Sequence, residues 1–533
     1  MAVPLIVVVP VVVAALGNGN AHVAVTDTGD PPETQMPTCC SEVTRGSRHC
    51  HPAQQKSGDS NRGNDALDVD HATGAMPPML NRALIVCALI IASACRDLPL
   101  NAPDAAPDGE TSPRQIIRLD QHIVKDTVLT AENTYVISRH NQVFVESGTT
   151  LVIQRGTVIK GEEGAVLVIT RGAKIIADGT PVDPIILTSA QPDGQKTPGY
   201  WGGLIVFGAA PINTNTLSNP SSAESSFDGL ASAALESKFG GPNPADNSGV
   251  LRYVRIEFAG FSYSVDHELA NLTMCGVGSG TTVDYVQTQA GSGNGFGFFG
   301  GTVNVKHLVG TQNAGAGIDS DNGWQGKAQF VVVQSASSDV AREGSGGLES
   351  NNNGNAAFYA APPRTLPIIY NISLFGDHRD QTAHRYAIVL RRGAGGRYYN
   401  AIVAGFANGI EVRDLATKQQ LDNSNLFFKN SIFFGNAADG NHWPPPEATD
   451  DIDEAAYFTN AAWSNRFVDP DINQARLSLT APNFVPNPGG AATIGAATPP
   501  NDGFFDPNAT FVGAFGAVDW TQGWTAYPQP AKQ

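Results

Sequence analysis

Residues Val143 to Ser189 read VFVESGTTLVIQRGTVIKGEEGAVLVITRGAKIIADGTPVDPIILTS, and this stretch decides the fold. Within it, LVIQRGTVIKG from Leu151 echoes as LVITRGAKIIADG from Leu167, about 16 residues on. Each copy is a short β-branched run, an Arg-Gly corner, a second short run and another Gly. Runs of four or five residues are too short for helices, and Val, Ile and Thr suit a pleated surface. The glycines let the chain turn sharply at fixed intervals. Strands that turn in register every few residues mark a parallel β-helix, in which each coil buries its apolar side against its neighbours.

The composition agrees with an all-β chain. A solenoid lengthens by adding coils, so 533 residues need no domain boundary, and 57 glycines suit a protein full of tight turns. A formal net charge of −17 argues against a nucleic-acid partner, which would want a basic face. The expectation is a single-stranded right-handed parallel β-helix over residues 115–440, with a polar insertion at 212–249. A C-terminal cap and irregular tail are expected over 441–533.

The first 114 residues divide differently. Residues 1–78 carry no periodicity that would build a core and are expected to be a disordered upstream extension. From Met79 the chain reads MLNRALIVCALIIASAC, with Arg82 as the basic start, an apolar run from Ala83 to Ile91, and Ala92-Ser93-Ala94 before Cys95. Residues 79–95 thus resemble a bacterial lipoprotein signal peptide, which implies that Cys95 is acylated and becomes the mature N-terminus. Ala92 stands where such signals usually have Leu. The Pro-, Asp- and Ala-rich residues 96–114 then read as a flexible tether to a membrane. Because Arg96 and not Asp follows the cysteine, the outer membrane or cell surface is the expected location. Cys275 reads as a small core residue.

Further along, GVGSGTTVDYVQ (276–287), FFGGTVNVKHLV (298–309), DSDNGWQGKAQF (319–330), GGLESNNNG (346–354), PIIYNISLFG (367–376), VLRRGAGGRYYNAIVAGF (389–406) and FVGAFGAVDWTQGWTAY (511–527) occur in this order. Together they resemble a family of bacterial secreted or lipid-anchored proteins of pectate-lyase-like β-helix type, over most of residues 125–527. The resemblance implies no established catalytic residues. It does imply acidic residues where this chain has Gly293, Asn294 and Gly297, again at Gly315, Ala316 and Gly317, and at Asn351. Asp319, Asp321 and Glu349 remain acidic.

Two readings are open for Asp319 and Asp321. Clustered carboxylates beside turn glycines are what Ca²⁺ needs, but two are few for an ion that takes six to eight oxygens. Asp and Asn also sit at β-helix corners because they tolerate tight turns. For catalysis, a polysaccharide lyase would draw its base from Arg391 or Arg392, with Arg397 nearby. A glycoside hydrolase would draw two carboxyls from Asp319, Asp321 and Glu349. Neither arrangement is a motif, and fold analogy does not establish activity. Asp266, His267 and Glu268 form another polar cluster, and Tyr200 with Trp201 reads either as a sugar-stacking pair or as a corner plug. Past residue 440, Thr449 followed by Asp450, Asp451, Asp453 and Glu454 reads as a capped helix start that seals the end of the solenoid, with Trp520 and Trp524 folded back into the cap.

The expected function is a lipid-anchored, monomeric binding or scaffolding module of the cell envelope, with glycans as the suggested ligand class. A carbohydrate-active enzyme and a purely structural envelope protein are the alternatives.

Overall fold

The computed structural model describes residues 114–531 apart from 220–222, 228, 231–234, 265–266, 336–344, 378–385, 437–442 and 444–451. Residues 1–78, the signal-like segment ending at Cys95 and the tether as far as residue 113 lie outside the described residues. From Gln115 onward the chain is a parallel β-helix. Its strands line up in one fifteen-stranded and one nine-stranded sheet, the two main walls of the solenoid. Pairing between coils is parallel throughout. Among the described residues, antiparallel pairing occurs in two short ribbons, Ser225–Ser226 with Lys238–Phe239 and Ser262–Ser264 with His267–Glu268, and in one isolated bridge between Ile472 and Pro486 in the tail.

The opening stretch shows how the coils are wound. Gln142 lies beside Val166 and Thr150 beside Lys174, so one full coil there is 24 residues. The echo from Leu151 to Leu167 therefore marks two sides of the solenoid and not successive coils. The strand Thr150–Ile153 belongs to the long wall and Val166–Ile169 to the nine-stranded wall. Each side repeats the same run and corner because each must turn the chain by a similar angle. Gly156 and Gly172 supply those corners with φ of +74° and +86°, which an L side chain rarely adopts. Alternation along the strands sends Leu151, Ile153, Leu167 and Ile169 inward, where they are fully buried in one continuous core.

Beyond residue 249 the coils simplify. The strand Gly249–Glu257 pairs with both Lys174–Asp178 and Ile185–Ser189, so two short sides fuse into one long, bent strand. The bend falls at one column of residues, Tyr253, Tyr285, His307, Phe330, Asn371, Asn400 and Asn430, all at φ between +48° and +60°. Trp201 is a corner plug and not an exposed platform. Its ring is fully buried, its Nε1 donates to the Glu257 carbonyl at 2.8 Å, and it lies where a Cβ on Gly161 would be 2.6 Å from the indole. Cys275 is buried, as a core residue should be.

At the far end, helix α1 (Leu415–Asp422) is capped by Asp414, which accepts from the Thr417 amide at 2.9 Å. Helix α2 (Glu454–Phe458) begins later than the acidic run suggested. Its cap is Asp453, accepting from the Ala456 amide at 3.0 Å, whereas Thr449 to Asp451 lie outside the described residues. Glu454 accepts from the Val412 amide at 3.1 Å and so satisfies the edge of the last strand in the nine-stranded wall.

The tail differs from the expected end cap. It runs back along the outer face of the long wall as a strap. Amide side chains on that face hold its backbone: Gln334 donates to the Arg476 carbonyl at 2.7 Å, Asn371 to Phe511 at 2.7 Å and Gln287 to Ala526 at 2.7 Å. The strap reaches the early coils, where the Ala531 amide donates to the Lys196 carbonyl at 2.7 Å. Ile472, Phe484, Val512, Phe515 and Trp524 bury themselves against Val309, Val332, Phe375 and Ile402. The strap has no strand periodicity because its hydrogen bonds go to side chains instead of a ladder. Trp524→Ala is expected to cost about 3–5 kcal/mol, as for other buried aromatics, and to lower the urea midpoint of the whole protein. An unchanged midpoint would mean that the strap is a detachable tail.

Candidate functional site

The nine-stranded wall places the candidate residues. Within each strand, alternate residues face outward, and parallel register stacks them into rows whose successive members are about 4.8 Å apart. One row runs Thr273, Gly297, Asp319, Glu349, Val389 and Glu411. The next runs Phe207, Cys275, Phe299 and Asp321, and just past the paired strands continues through Asn351, Arg391 and Arg413. Residues far apart in sequence thus form one patch.

The two halves of this wall are treated differently. In the early coils the outward residues are apolar, among them Val166, Val168, Ile205 and Phe207, and the 212–249 insertion covers them with Ile212 and Phe239. The insertion stops where the charges begin. Asparagines knit the junction: the Asn213 amide donates to the Asn322 carbonyl at 2.6 Å, and Asn353 Nδ2 donates to Asn213 Oδ1 at 2.9 Å. The insertion is therefore polar in composition but anchored by a few large apolar side chains.

In the charged half, Glu349 Oε1 accepts from the Arg391 guanidinium and from Asn351 Nδ2, the latter at 3.2 Å. Arg391 Nε also donates to Asn351 Oδ1 at 2.9 Å, so this cation is committed to two partners and is poorly placed to act as a lyase base. Arg413 pairs with the buried Glu411 at 2.9 Å. The Arg392 amide donates to Asp414, tying the patch to the cap of α1. Asp319 Oδ2 accepts from Asn294 Nδ2 at 3.0 Å, whereas its Oδ1 is shielded from solvent and has no hydrogen-bond partner. Burial, followed by the neighbouring Glu349 and Asp321 charges, pushes the Asp319 carboxyl well above the usual carboxylate range, against the pull of Arg391 and Arg392. Burial also raises Asp321 to about 6, although the Asn322 amide and Arg392 oppose the shift.

Asp319, Asp321, Glu349, Arg391 and Arg392 thus lie together on this wall. Arg397 does not join them, because it lies in the strand Gly396–Ala404 on the long wall. Asp266 lies outside the described residues, and His267–Glu268 form part of a short ribbon. Sequence reasoning missed Arg413, Glu411 and Asp414, which become neighbours only once the coil register is known. It also missed Phe299 as a lining residue. Three positions where the family resemblance implied acids, Asn294, Gly297 and Asn351, all adjoin Asp319 or Glu349. Among the described residues, no group of three or more His, Cys, Asp or Glu is placed to hold a metal ion. With Glu349 tied to Arg391, Asp319 and Asp321 fall short of the oxygen shell that Ca²⁺ requires.

The fold and this patch define a β-helical solenoid with one covered and one open half of the same wall. The family model for the pectate-lyase-like β-helix domain matches residues 121–465, well over half of the chain, and the protein belongs to that family. Comparisons with curated proteins and with solved structures give no match.

Asp321 provides a direct test of the site's electrostatics. Its carboxyl titrates near 6 when folded but near 3.9 in an unfolded chain. Between those values the folded state holds a proton that the unfolded state has lost, so stability falls as pH rises from about 4 to about 6 and then levels off. Asp321→Asn removes this penalty and still offers an oxygen to the Asn322 amide. The variant is expected to exceed the wild type by about 1–3 kcal/mol at pH 7.5, with the gain vanishing below pH 4. Equal urea midpoints at both pH values would show that Asp321 is ionised without cost.

Proposed function

We propose that this protein is a lipid-anchored envelope module that binds glycans on the open half of its nine-stranded wall. The observation that carries this reading is the ordered patch of Asp319, Glu349, Asn351 and Arg391. It holds its side chains by mutual hydrogen bonds while Glu349 and Arg391 stay partly exposed at its surface. Planar side chains fixed in advance lose little entropy when they bind hydroxyl groups, which suits recognition of a polyhydroxylated ligand. A rigid solenoid wall also presents such groups at regular spacing along an extended chain. The anchor rests on the signal-like sequence ending at Cys95 and the tether that follows it.

Two experiments test the two parts. The full chain, expressed in a lipoprotein-processing bacterium, should incorporate labelled palmitate, and Cys95→Ser should abolish the label. Label that persists in this variant would refute the anchor. For binding, Glu349→Gln weakens the hold on Arg391 and should reduce glycan retention on affinity electrophoresis at least several-fold, with no new reducing ends or unsaturated products.

A hydrolytic reading is favoured by one observation, the raised Asp319 carboxyl beside Glu349. A protonated carboxyl next to a second carboxyl is the arrangement that glycoside hydrolysis uses. Release of reducing ends that disappears in Asp319→Asn would establish it in place of simple binding.

A further inference from the structure

We infer that the open half of the wall contains a subsite for a neutral pyranose stacked on Phe299, and that it disfavours polyuronates. This inference rests on the glycan-binding reading above and adds the ligand's charge class and its aromatic platform.

The platform follows from one glycine. Gly297 and Phe299 face outward from the same strand, Phe296–Phe299. A Cβ on Gly297 would lie 2.7 Å from the Phe299 ring, so the ring occupies the space above the glycine and lies across the strand. Any side chain at 297 would displace it. Phe299 is only partly buried, and it borders the insertion on one side. On the other side, Gly297 is in register with Asp319 and Phe299 with Asp321. An aromatic face is weakly negative and attracts the C–H groups of a sugar ring, and carboxyl oxygens beside it can take the hydroxyl protons.

The charge class follows from how the cations are engaged. A uronate carboxylate needs a free guanidinium or ammonium group. Arg391 is held by Glu349 and Asn351, and Arg413 by Glu411. Arg392 remains, and its field acts on Asp319 and Asp321. A uronate stacked on Phe299 would therefore bring a further negative charge to Asp319 and Asp321, with Arg392 alone to offset all three. A neutral sugar adds no charge and can use the partly exposed carboxyls of Asp321 and Glu349 as hydrogen-bond acceptors.

The test uses the full chain and two kinds of immobilised probe, neutral polysaccharides (a β-glucan and an α-mannan) and polygalacturonate. Retention of a neutral probe is expected, with polygalacturonate at least tenfold weaker at low salt. Phe299→Leu keeps an apolar side chain but loses the flat face, and retention should fall at least tenfold while the unfolding midpoint stays near that of the wild type. Lys238→Ala serves as a control, because Lys238 lines a separate cavity of about 530 Å³ within the insertion. Retention should be unchanged in that variant. Stronger retention by polygalacturonate, wild-type retention by Phe299→Leu, or loss with Lys238→Ala would each overturn the subsite while leaving glycan binding intact. Retention of no probe would refute the glycan-binding reading itself.

Discussion

Every coil from Gly249 to Lys429 repeats the same bend in its long strand, and that bend forces one residue into a left-handed backbone. The column from Tyr253 to Asn430 meets the demand without a single glycine. Bulky L residues are uncommon at positive φ, so something must offset the strain. At the first four positions of the column it is stacking. Tyr253 and Tyr285 lie 4.5 Å apart, Tyr285 and His307 4.0 Å, and His307 and Phe330 4.9 Å, as rings piled along the solenoid axis. In the later coils the column switches to asparagine, which tolerates this region better. Those amides bind the strap instead: Asn400 Nδ2 reaches the Ala497 carbonyl at 2.8 Å and Asn430 Nδ2 reaches Gly495 at 3.2 Å. One geometric requirement therefore selects aromatic stacking in one half and strap contacts in the other.

The same register builds the site. Parallel strands with one side chain per coil in each row turn spacing along the chain into adjacency across it. Asp319 and Glu349 are neighbours although 30 residues separate them, and Arg391 reaches Glu349 across 42. What differs between the halves of the wall is cover. Apolar outward residues are tolerable only beneath the insertion, and once the insertion ends the rows become charged. The partial burial that remains at Asp319 and Asp321 then raises their carboxyls, because little water is left to solvate two negative charges so close together.

Much of the architecture was legible in the sequence, and the limits have physical causes. Gly156 and Gly172 revealed the corners because only glycine turns so cheaply there. The period was misleading, since equal sides of a coil repeat before the coil does. Asp319, Asp321, Glu349, Arg391 and Arg392 could be grouped through their family-like motifs. Arg413, Glu411 and Asp414 could not, because insertions make the coils unequal and no count of residues sets their register. Trp201 could be read as a corner plug beside its Gly pair, but its partner could not, because the space for the indole is left by Gly161, 40 residues away. The strap looked like irregular loop for a sound reason: its partners are glutamine and asparagine side chains, which leave no imprint on its own pattern.

Repeat arrays commonly lose order from their ends, because each unit touches only its neighbours and the last coil can peel away alone. The strap changes that here. Gln287 and Ala526 bond across 239 residues, and Ala531 reaches back to Lys196. A coil at the C-terminal end cannot unwind without also releasing contacts on coils well before it. The strap works as a splint that couples remote layers, so a quasi-one-dimensional stack gains the all-or-none behaviour of a globular domain. A wall held at that level of order can keep its rows of outward side chains aligned over its full length.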